Sequence, residues 1–397
     1  MERRVGTVSR GIRCPIIREG DNLAEIVTAS VLDAAESEGF SLRDRDVISV
    51  TESIVARAQG NYASVDDIAS DVKEKLGGGT VGVIFPILSR NRFAICLRGI
   101  AKGAKKIVLM LSYPSDEVGN ELVSLDAIEE ANINPYSDVL SLEQFRAAFG
   151  EPKHEFTGVD YVQYYGDIIR SAGAEAEIIF GNHAQDILPY TSKVLTCEIY
   201  NRERSKRILN KHGAELVYGL DDILTSSING SGFNARFGLL GSNKSTEEQI
   251  KLFPHDAQDL LLEIQKGILD ATGKHVEVMV YGDGAFKDPK GKIWELADPV
   301  VSPNFTDGLL GTPNELKLKY LADNDFKDLH GEDLQKAISD SIRAKSGDSL
   351  VGNMAAQGTT PRHLTDLIGS LCDLTSGSGD KGTPIVLVQG YFDNFTD

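Results

Sequence analysis

The residues most able to do chemistry fall in four polar clusters, and the first runs from Thr51 to Gly60. It follows a predicted strand and combines hydroxyls, a predicted helix start and Arg57 one turn further on. Hydroxyls, helix N–H groups and a guanidinium all bind phosphate oxygens. The cluster therefore predicts a phosphate site, and a capped surface helix is the alternative interpretation.

The second cluster is rich in Gly, Ser and Asn and extends from Asn229 to Lys244. Glycine lets a backbone come close to a ligand, and Arg236, Asn243 and Lys244 add hydrogen-bond donors. The stretch is not a Walker A loop, because the pattern GxxxxGK followed by Ser or Thr is absent. It predicts either a ligand-binding loop or a flexible linker between domains.

The third cluster centres on Asp283, which lies between Gly282 and Gly284 at the end of a predicted strand. A lone carboxylate in this position suits a Mg²⁺ ligand beside a phosphate. A two-residue hairpin turn is the competing interpretation. Lys287 adds charge nearby, and we predict Asp283 and Lys287 as the catalytic residues, with Asp283 also the metal ligand.

The fourth cluster is the loop from Ser376 to Gly382, just before the last predicted strand. Successive backbone N–H groups around Gly377, Ser378 and Gly379 can form a concave anion site, to which Lys381 adds charge. A solvated loop with no ligand is the alternative interpretation.

Bulk properties limit the class of protein. The net charge of −18 disfavours nucleic acid as a partner, because nucleic-acid phosphates are bound by basic surfaces. No apolar run reaches the roughly 18 residues of a membrane span, and no signal-peptide stretch follows the N-terminus, so we expect a cytoplasmic protein with no membrane partner. The 4 cysteines form no CxxC pair and the 7 histidines have no ligand spacing, which argues against zinc.

Regular elements must position these clusters. Apolar residues from Leu23 to Ala35 recur at helical spacing, with Asp21 or Asn22 as the cap and Gly39 as the stop. Between about residues 90 and 225, apolar strands alternate with helices, which predicts a doubly wound, mostly parallel sheet. The predicted strands are Val47–Val50, Val81–Phe85, Ile107–Leu111, Ile178–Phe180, Val194–Ile199, Glu215–Tyr218, Val276–Val280 and Pro384–Val388. The predicted helices include Leu142–Phe149, Val159–Ala172, Glu203–His212, Ala257–Leu269 and Leu364–Leu371. The section 304–358 is polar and poorly periodic.

Taken together, the clusters resemble the gamma-glutamyl ligase family that adds glutamate to the precursor of the deazaflavin coenzyme F-420. The residues that carry the resemblance are Cys14-Pro-Ile-Ile-Arg-Glu-Gly-Asp21, Thr51-Glu-Ser-Ile-Val-Ala-Arg-Ala-Gln-Gly60, Gly241-Ser-Asn243, Phe253-Pro-His-Asp256, Tyr281-Gly-Asp-Gly-Ala-Phe-Lys-Asp-Pro289 and Gly382-Thr-Pro-Ile-Val-Leu-Val-Gln-Gly390. The resemblance implies a mixed α/β fold in which residues 1–90 and 228–397 form a ligase core. Residues 91–227 would then be an inserted α/β domain, and basic residues such as Arg92 concentrate at its start.

The resemblance also implies an activity. The protein would use GTP or ATP, with Mg²⁺ or Mn²⁺, to join L-glutamate to a small-molecule carboxylate acceptor through an acyl phosphate, and it would form a homodimer. The acceptor would be the deazaflavin precursor or a folate-like molecule. The residues that would bind the nucleotide are Pro15, Ile16, Glu52, Ser53, Arg57, Asn243, Lys244, Gly377, Ser378 and Gly379.

Departures from the family pattern keep other readings open. Leu240 stands where the family has a metal-binding Asp, Gly284 replaces a Thr, and a family Gln falls near Ser378. A non-catalytic nucleotide or metabolite sensor on the same fold is therefore the main alternative. An oxidoreductase is the least favoured, because the chain lacks the GxGxxG dinucleotide fingerprint.

Overall fold

A computed structural model describes residues 5–155, 157–282, 300–345, 354–356, 362–376 and 380–396. Together these residues form a mixed α/β protein with three β-sheets. The strands are β1 (Val8–Ile12), β2 (Val47–Thr51), β3 (Tyr62–Ser64), β4 (Thr80–Ile84), β5 (Lys106–Leu111), β6 (Leu140–Ser141), β7 (Glu175–Phe180), β8 (Lys193–Thr196), β9 (Leu216–Gly219), β10 (Asn243–Lys244), β11 (Gln249–Lys251), β12 (Glu277–Tyr281) and β13 (Ile385–Gln389). The α-helices are α1 (Leu23–Glu38), α2 (Glu52–Ala58), α3 (Val65–Leu76), α4 (Phe93–Lys102), α5 (Leu125–Glu130), α6 (Leu142–Phe149), α7 (Tyr161–Ser171), α8 (Arg202–Lys211), α9 (Gln258–Thr272), α10 (Leu318–Tyr320), α11 (Gly331–Ala344) and α12 (Leu364–Ser376). Within these ranges, no helix has both the length and the apolar content to span a bilayer.

The largest sheet confirms the mostly parallel arrangement predicted for the middle of the chain. Its order is β6-β7-β5-β4-β8-β9, and every strand except β6 pairs in parallel. Strands buried on both faces need apolar side chains in both directions. Leu109 accordingly packs on the side of α4 and α7, whereas Val108 and Met110 pack on the side of α8.

The four-stranded sheet has the order β1-β13-β2-β12. Strands β2 and β12 are parallel, and β13 runs antiparallel to both β1 and β2. Helices α1 and α9 cover one face, where Val31 and Leu261 pack against Ile48, and α12 covers the other face through Ile368. Three strands therefore end at one edge of this sheet, where β13 begins.

The small third sheet links the other two parts of the molecule. Its order is β10-β11-β3, with antiparallel pairing throughout. Strand β3 follows α2, β10 is formed by the last two residues of the stretch rich in Gly, Ser and Asn, and β11 comes after that stretch. The end of the stretch is therefore the first strand of an ordered hairpin, and neither strand of this hairpin was predicted.

Local signals explain several of the elements. Helix α1 begins where the Asn22 side chain accepts a hydrogen bond from the Glu25 N–H, and it ends at Gly39, whose φ of 67° is left-handed. Two differences from the predictions have physical causes. Strand β8 ends at Thr196, three residues before the predicted end, because the chain turns there toward α8. Helix α11 lies within the section 304–358, where no helix was predicted. Its surface is mostly exposed and polar, which explains why the sequence signal was missed.

Candidate functional site

Distant segments of the chain come together at the end of the four-stranded sheet where β1, β2 and β12 stop. Ile12, Ile385, Val50 and Val280 lie side by side across the sheet, so the segments that leave β1, β2 and β12 meet the segment that enters β13. The Thr51 N–H donates to the Pro384 carbonyl over 3.0 Å, which joins two of these segments directly. A site built at this edge is held by strands rather than by loops alone.

A cleft of about 760 Å³ opens at this edge. Residues of the loop after β1, of the β2–α2 turn, of the end of α12 and of the loop before β13 line it, and Gly282 marks the end of β12. Six residues that were predicted to bind a nucleotide line it together. They are Pro15, Ile16, Glu52, Ser53, Arg57 and Asn243.

Glu52 enters the cleft wall as one half of a buried ion pair. Its two carboxylate oxygens lie 3.0 and 2.8 Å from Nζ of Lys251 on β11, and both residues are less than 10% exposed. A buried carboxylate that has a cation beside it presents little net charge to its surroundings. The pair therefore lets an acidic residue line the cleft with little repulsion of an anionic ligand.

Arg92 is a cleft residue that was not predicted to belong to the site. It lies just before α4 and lines the cleft together with Asn243. The Lys244 N–H donates to the Asn91 carbonyl over 2.7 Å, and this bond holds the residues before α4 beside the β10–β11 hairpin. Two further cations that follow Arg92 in the sequence do not line the cleft: Arg98 pairs with Glu248, and Lys102 pairs with Asp66. The cluster of positive charge at the start of the predicted inserted domain could have pointed to Arg92, but the sequence alone does not show which of these cations reaches the cleft.

The cleft lies within the part of the chain that matches a known family. The family model described as F420-0:Gamma-glutamyl ligase matches residues 11–390. The chain belongs to this family. The family was therefore identified correctly from the sequence, and the protein is an amide-bond-forming ligase of a nucleotide-dependent type. No curated protein matches the chain.

Some residues predicted for the ligase site lie elsewhere or beyond the described ranges. Lys244 does not line the cleft, because it lies on the exposed β10–β11 hairpin and its Nζ pairs with the Glu247 carboxylate. Asp283, Lys287 and the residues 377–379 fall outside the described residues. Their immediate neighbours Gly282 and Ser376 line the cleft.

Leu240, which stands where the family has a metal-binding Asp, does not line the cleft. Leu240 is buried in an apolar cluster and lines a small separate pocket with Cys96 and Cys197 instead of the cleft. Glu52 and Asp373 are the carboxylates of the described cleft wall, and Glu52 is held by Lys251. Across the described ranges, no group of three or more His, Cys, Asp and Glu side chains is placed to hold a metal ion. These residues alone do not fit the metal site that the family pattern implies.

Tyr281 provides a polar group at the base of the cleft. Its side chain is buried at the end of β12, and burial raises the pKa of its hydroxyl above the ordinary value. A phenol whose pKa is raised stays protonated at neutral pH and can donate a hydrogen bond. Ser53 and Asn243 give the cleft uncharged polar groups beside its two arginines, whereas the Tyr281 hydroxyl is fully buried.

Proposed function

We propose that the cleft binds the nucleoside triphosphate, GTP or ATP, for gamma-glutamyl ligation. The observation that carries this proposal is the convergence of Ser53, Arg57, Arg92 and Asn243 on one cavity of about 760 Å³. Two guanidinium groups and several neutral donors match the oxygens of a polyphosphate. The cavity volume is within the range of sites that bind ligands of nucleotide size.

The reaction follows from the chemistry of a carboxylate, which an amine does not attack because its oxygen is a poor leaving group. An acceptor carboxylate oxygen attacks the γ-phosphorus, the bond to the bridging oxygen breaks, and the nucleoside diphosphate leaves. The amine of L-glutamate then attacks the acyl carbon, loses its proton and expels phosphate, which leaves an amide. Arg57 and Arg92 would stabilise the charge on the transferred phosphoryl group.

A cavity beside the cleft offers a binding site for the acceptor. This cavity, about 1040 Å³, shares Cys14, Pro15 and Thr383 with the cleft, and it also contains Arg13 and Lys381. An acceptor carboxylate bound by these cations would lie beside the nucleotide. We propose that the deazaflavin precursor or a folate-like molecule carrying a carboxylate binds here.

The finer description of the fold is also a proposal. We assign the four-stranded sheet to a ligase core and the six-stranded sheet to an inserted, doubly wound domain with predicted limits of 91–227. The first strand of the six-stranded sheet, β4, precedes those limits. The homodimer and the ligation of Mg²⁺ or Mn²⁺ by Asp283 remain predictions, and no step above depends on them.

Measurement of phosphate release tests the proposed reaction. We expect release from GTP or ATP only when L-glutamate and the deazaflavin precursor are both present, because the acyl phosphate needs the acceptor and its breakdown needs the amine. Nucleotide binding without release under any combination of substrates would instead identify a sensor that has kept the fold without catalysis.

A further inference from the structure

A further cavity opens on the six-stranded sheet, separate from the cleft. Ligands of open parallel sheets bind at the carboxyl ends of the strands, where the winding of the chain reverses. Here β5 and β7 extend the sheet to one side of β4, whereas β8 and β9 extend it to the other side. A cavity of about 300 Å³ lies at these carboxyl ends, with Phe85 after β4, Ser112 after β5, Asn182 after β7 and Glu198 after β8.

Glu198 is a buried carboxyl group whose hydrogen bonding is incomplete. It is 2% exposed, and the Ser205 hydroxyl donates to Oε1, but Oε2 has no hydrogen-bond partner among the described residues. A buried polar oxygen without a partner is costly, and native proteins rarely keep one unless it has a role. Because Glu198 lines the cavity, a ligand that donates a hydrogen bond would supply the missing partner.

The other two acidic residues of this cavity are already engaged by the protein. Asp116 accepts hydrogen bonds from the backbone N–H groups of Leu88, Val118 and Asn120. Glu117 accepts from the backbone N–H groups of residues 199–201, which ties the loop after β5 to the loop after β8. These bonds make the wall rigid, and they leave Glu198 as the carboxyl group available to a ligand.

The charges of the cavity wall indicate the class of ligand. Three carboxyl groups and one cation, Arg204, line it, so a phosphate group or nucleotide is disfavoured. Arg204 is exposed on α8, and its charge is close enough to act on Glu198. The described residues offer no metal site here. A ligand that fits must carry a positive group for the interior and a negative group for Arg204.

We propose that this cavity binds a free α-amino acid as a zwitterion, with its ammonium group on Glu198 and its carboxylate on Arg204. The volume of about 300 Å³ suits a molecule of this size and is small for a nucleotide. The site is distinct from the cleft, because the two cavities share no lining residue.

Burial raises the pKa of Glu198 to about 7, while the hydrogen bond from Ser205 opposes that shift and the charge of Glu117 adds to it. Binding is therefore best measured at about pH 8, where this carboxyl group is mostly ionised. The full chain is titrated calorimetrically with each standard α-amino acid, and with L-lactate as an analogue that has a hydroxyl in place of the ammonium group.

We expect at least one amino acid to bind and L-lactate not to bind. Glu198→Gln and Arg204→Gln should each weaken that binding about tenfold or more, as expected for the loss of one charge-assisted hydrogen bond. Arg207→Gln, which changes another exposed arginine of α8 that does not line the cavity, should leave the affinity unchanged.

The proposal is overturned if no amino acid binds, if L-lactate binds equally well, or if the binding ignores both cavity substitutions. L-glutamate needs a separate check because it is also the proposed substrate. Its binding counts for this site only if Glu198→Gln weakens it and Arg57→Gln, in the cleft, does not. A failure here therefore leaves the proposed ligase reaction untouched.

Discussion

Lys251 and Glu52 form a buried, two-contact ion pair across 199 residues of sequence, with Nζ of Lys251 at 3.0 and 2.8 Å from the two carboxylate oxygens. The pair joins β11 of the small sheet to the first residue of α2, beside the cleft. Because both side chains are buried, removing one of them leaves an uncompensated charge in the interior. The contact therefore fixes the cleft wall to the hairpin that carries Asn243.

Substituting Lys251→Met should destabilise the protein by about 3–5 kcal/mol, since Glu52 then loses the buried cation that contacts both of its carboxylate oxygens. Adding Glu52→Gln to this variant should recover part of the loss, because the unpaired charge is gone. Lys102→Met, which removes a cation from an exposed pair with Asp66, is the control and should change the free energy of unfolding by at most about 1 kcal/mol. Urea denaturation measures all of these variants, and equal losses for Lys251→Met and Lys102→Met would refute the prediction.

Arg92→Gln should raise the KM for the nucleotide about tenfold, because one charge-assisted contact to the polyphosphate is lost. Arg98→Gln, on the helix that follows Arg92, is a matched control, since Arg98 pairs with Glu248 and does not line the cleft. Phosphate-release kinetics at varied nucleotide concentration give both values. Similar KM values for the two variants would show that Arg92 does not contact the nucleotide.

The raised pKa of Glu198 predicts a pH-dependent stability. Burial raises this pKa from an ordinary 4.5 to about 7, so the folded state keeps a proton that the unfolded chain has lost. The loss of folding stability that comes from ionising buried Glu198 is absent below about pH 4.5, grows as the pH rises, and reaches roughly 3 kcal/mol above pH 7. Glu198→Gln cannot ionise, and it should therefore gain stability relative to the unsubstituted protein between about pH 5 and pH 8.

Thermal and urea unfolding at several pH values measure this gain. The neighbouring Asp116 and Glu117, whose pKa values are also raised by burial, are present in both proteins. Because the charge of Glu117 adds to the shift of Glu198, part of the measured gain comes from removing the repulsion between these two groups. Glu203→Gln, an exposed substitution on α8, controls for the change of side chain. A stability difference between Glu198→Gln and the unsubstituted protein that stays constant with pH would contradict the assignment.

Asp283 was predicted as a metal ligand and catalytic residue, and in the sequence it directly follows Gly282, which lines the cleft. Asp283→Asn should abolish phosphate release and weaken Mn²⁺ binding, because a neutral amide is a poor ligand for a hard cation. Asp288→Asn, in the same segment, is the matched control. Mn²⁺ binding is measured by the change in water proton relaxation, and unchanged binding in Asp283→Asn would remove this residue from the metal site.

The sequence predicted well those features that depend on neighbouring residues. The apolar spacing of α1 and its Asn22 and Gly39 ends are local, and so is the alternation of strands and helices that makes the six-stranded sheet. The family resemblance predicted that Pro15, Ser53, Arg57 and Asn243 bind one ligand, and all four line the cleft.

Features that depend on distant contacts were not predicted. Arg92 lies in the cleft because the hairpin at Lys244 holds the Asn91 backbone, a bond that no spacing reveals. Lys251 was not recognised as the partner of Glu52 for the same reason. Likewise, Glu198 was predicted to belong to a longer strand, whereas β8 ends at Thr196 and Glu198 lines the cavity of the six-stranded sheet.

Nucleotide binding by the cleft is the central claim, and isothermal titration calorimetry with GTP and with ATP tests it most directly. The unsubstituted protein should bind one of the two nucleotides, and Arg57→Gln should weaken that binding about tenfold or more. Arg170→Gln, which changes an exposed side chain of α7 that pairs with Asp167, should bind as tightly as the unsubstituted protein. Equal affinity in all three proteins, or no binding of either nucleotide, would contradict the account.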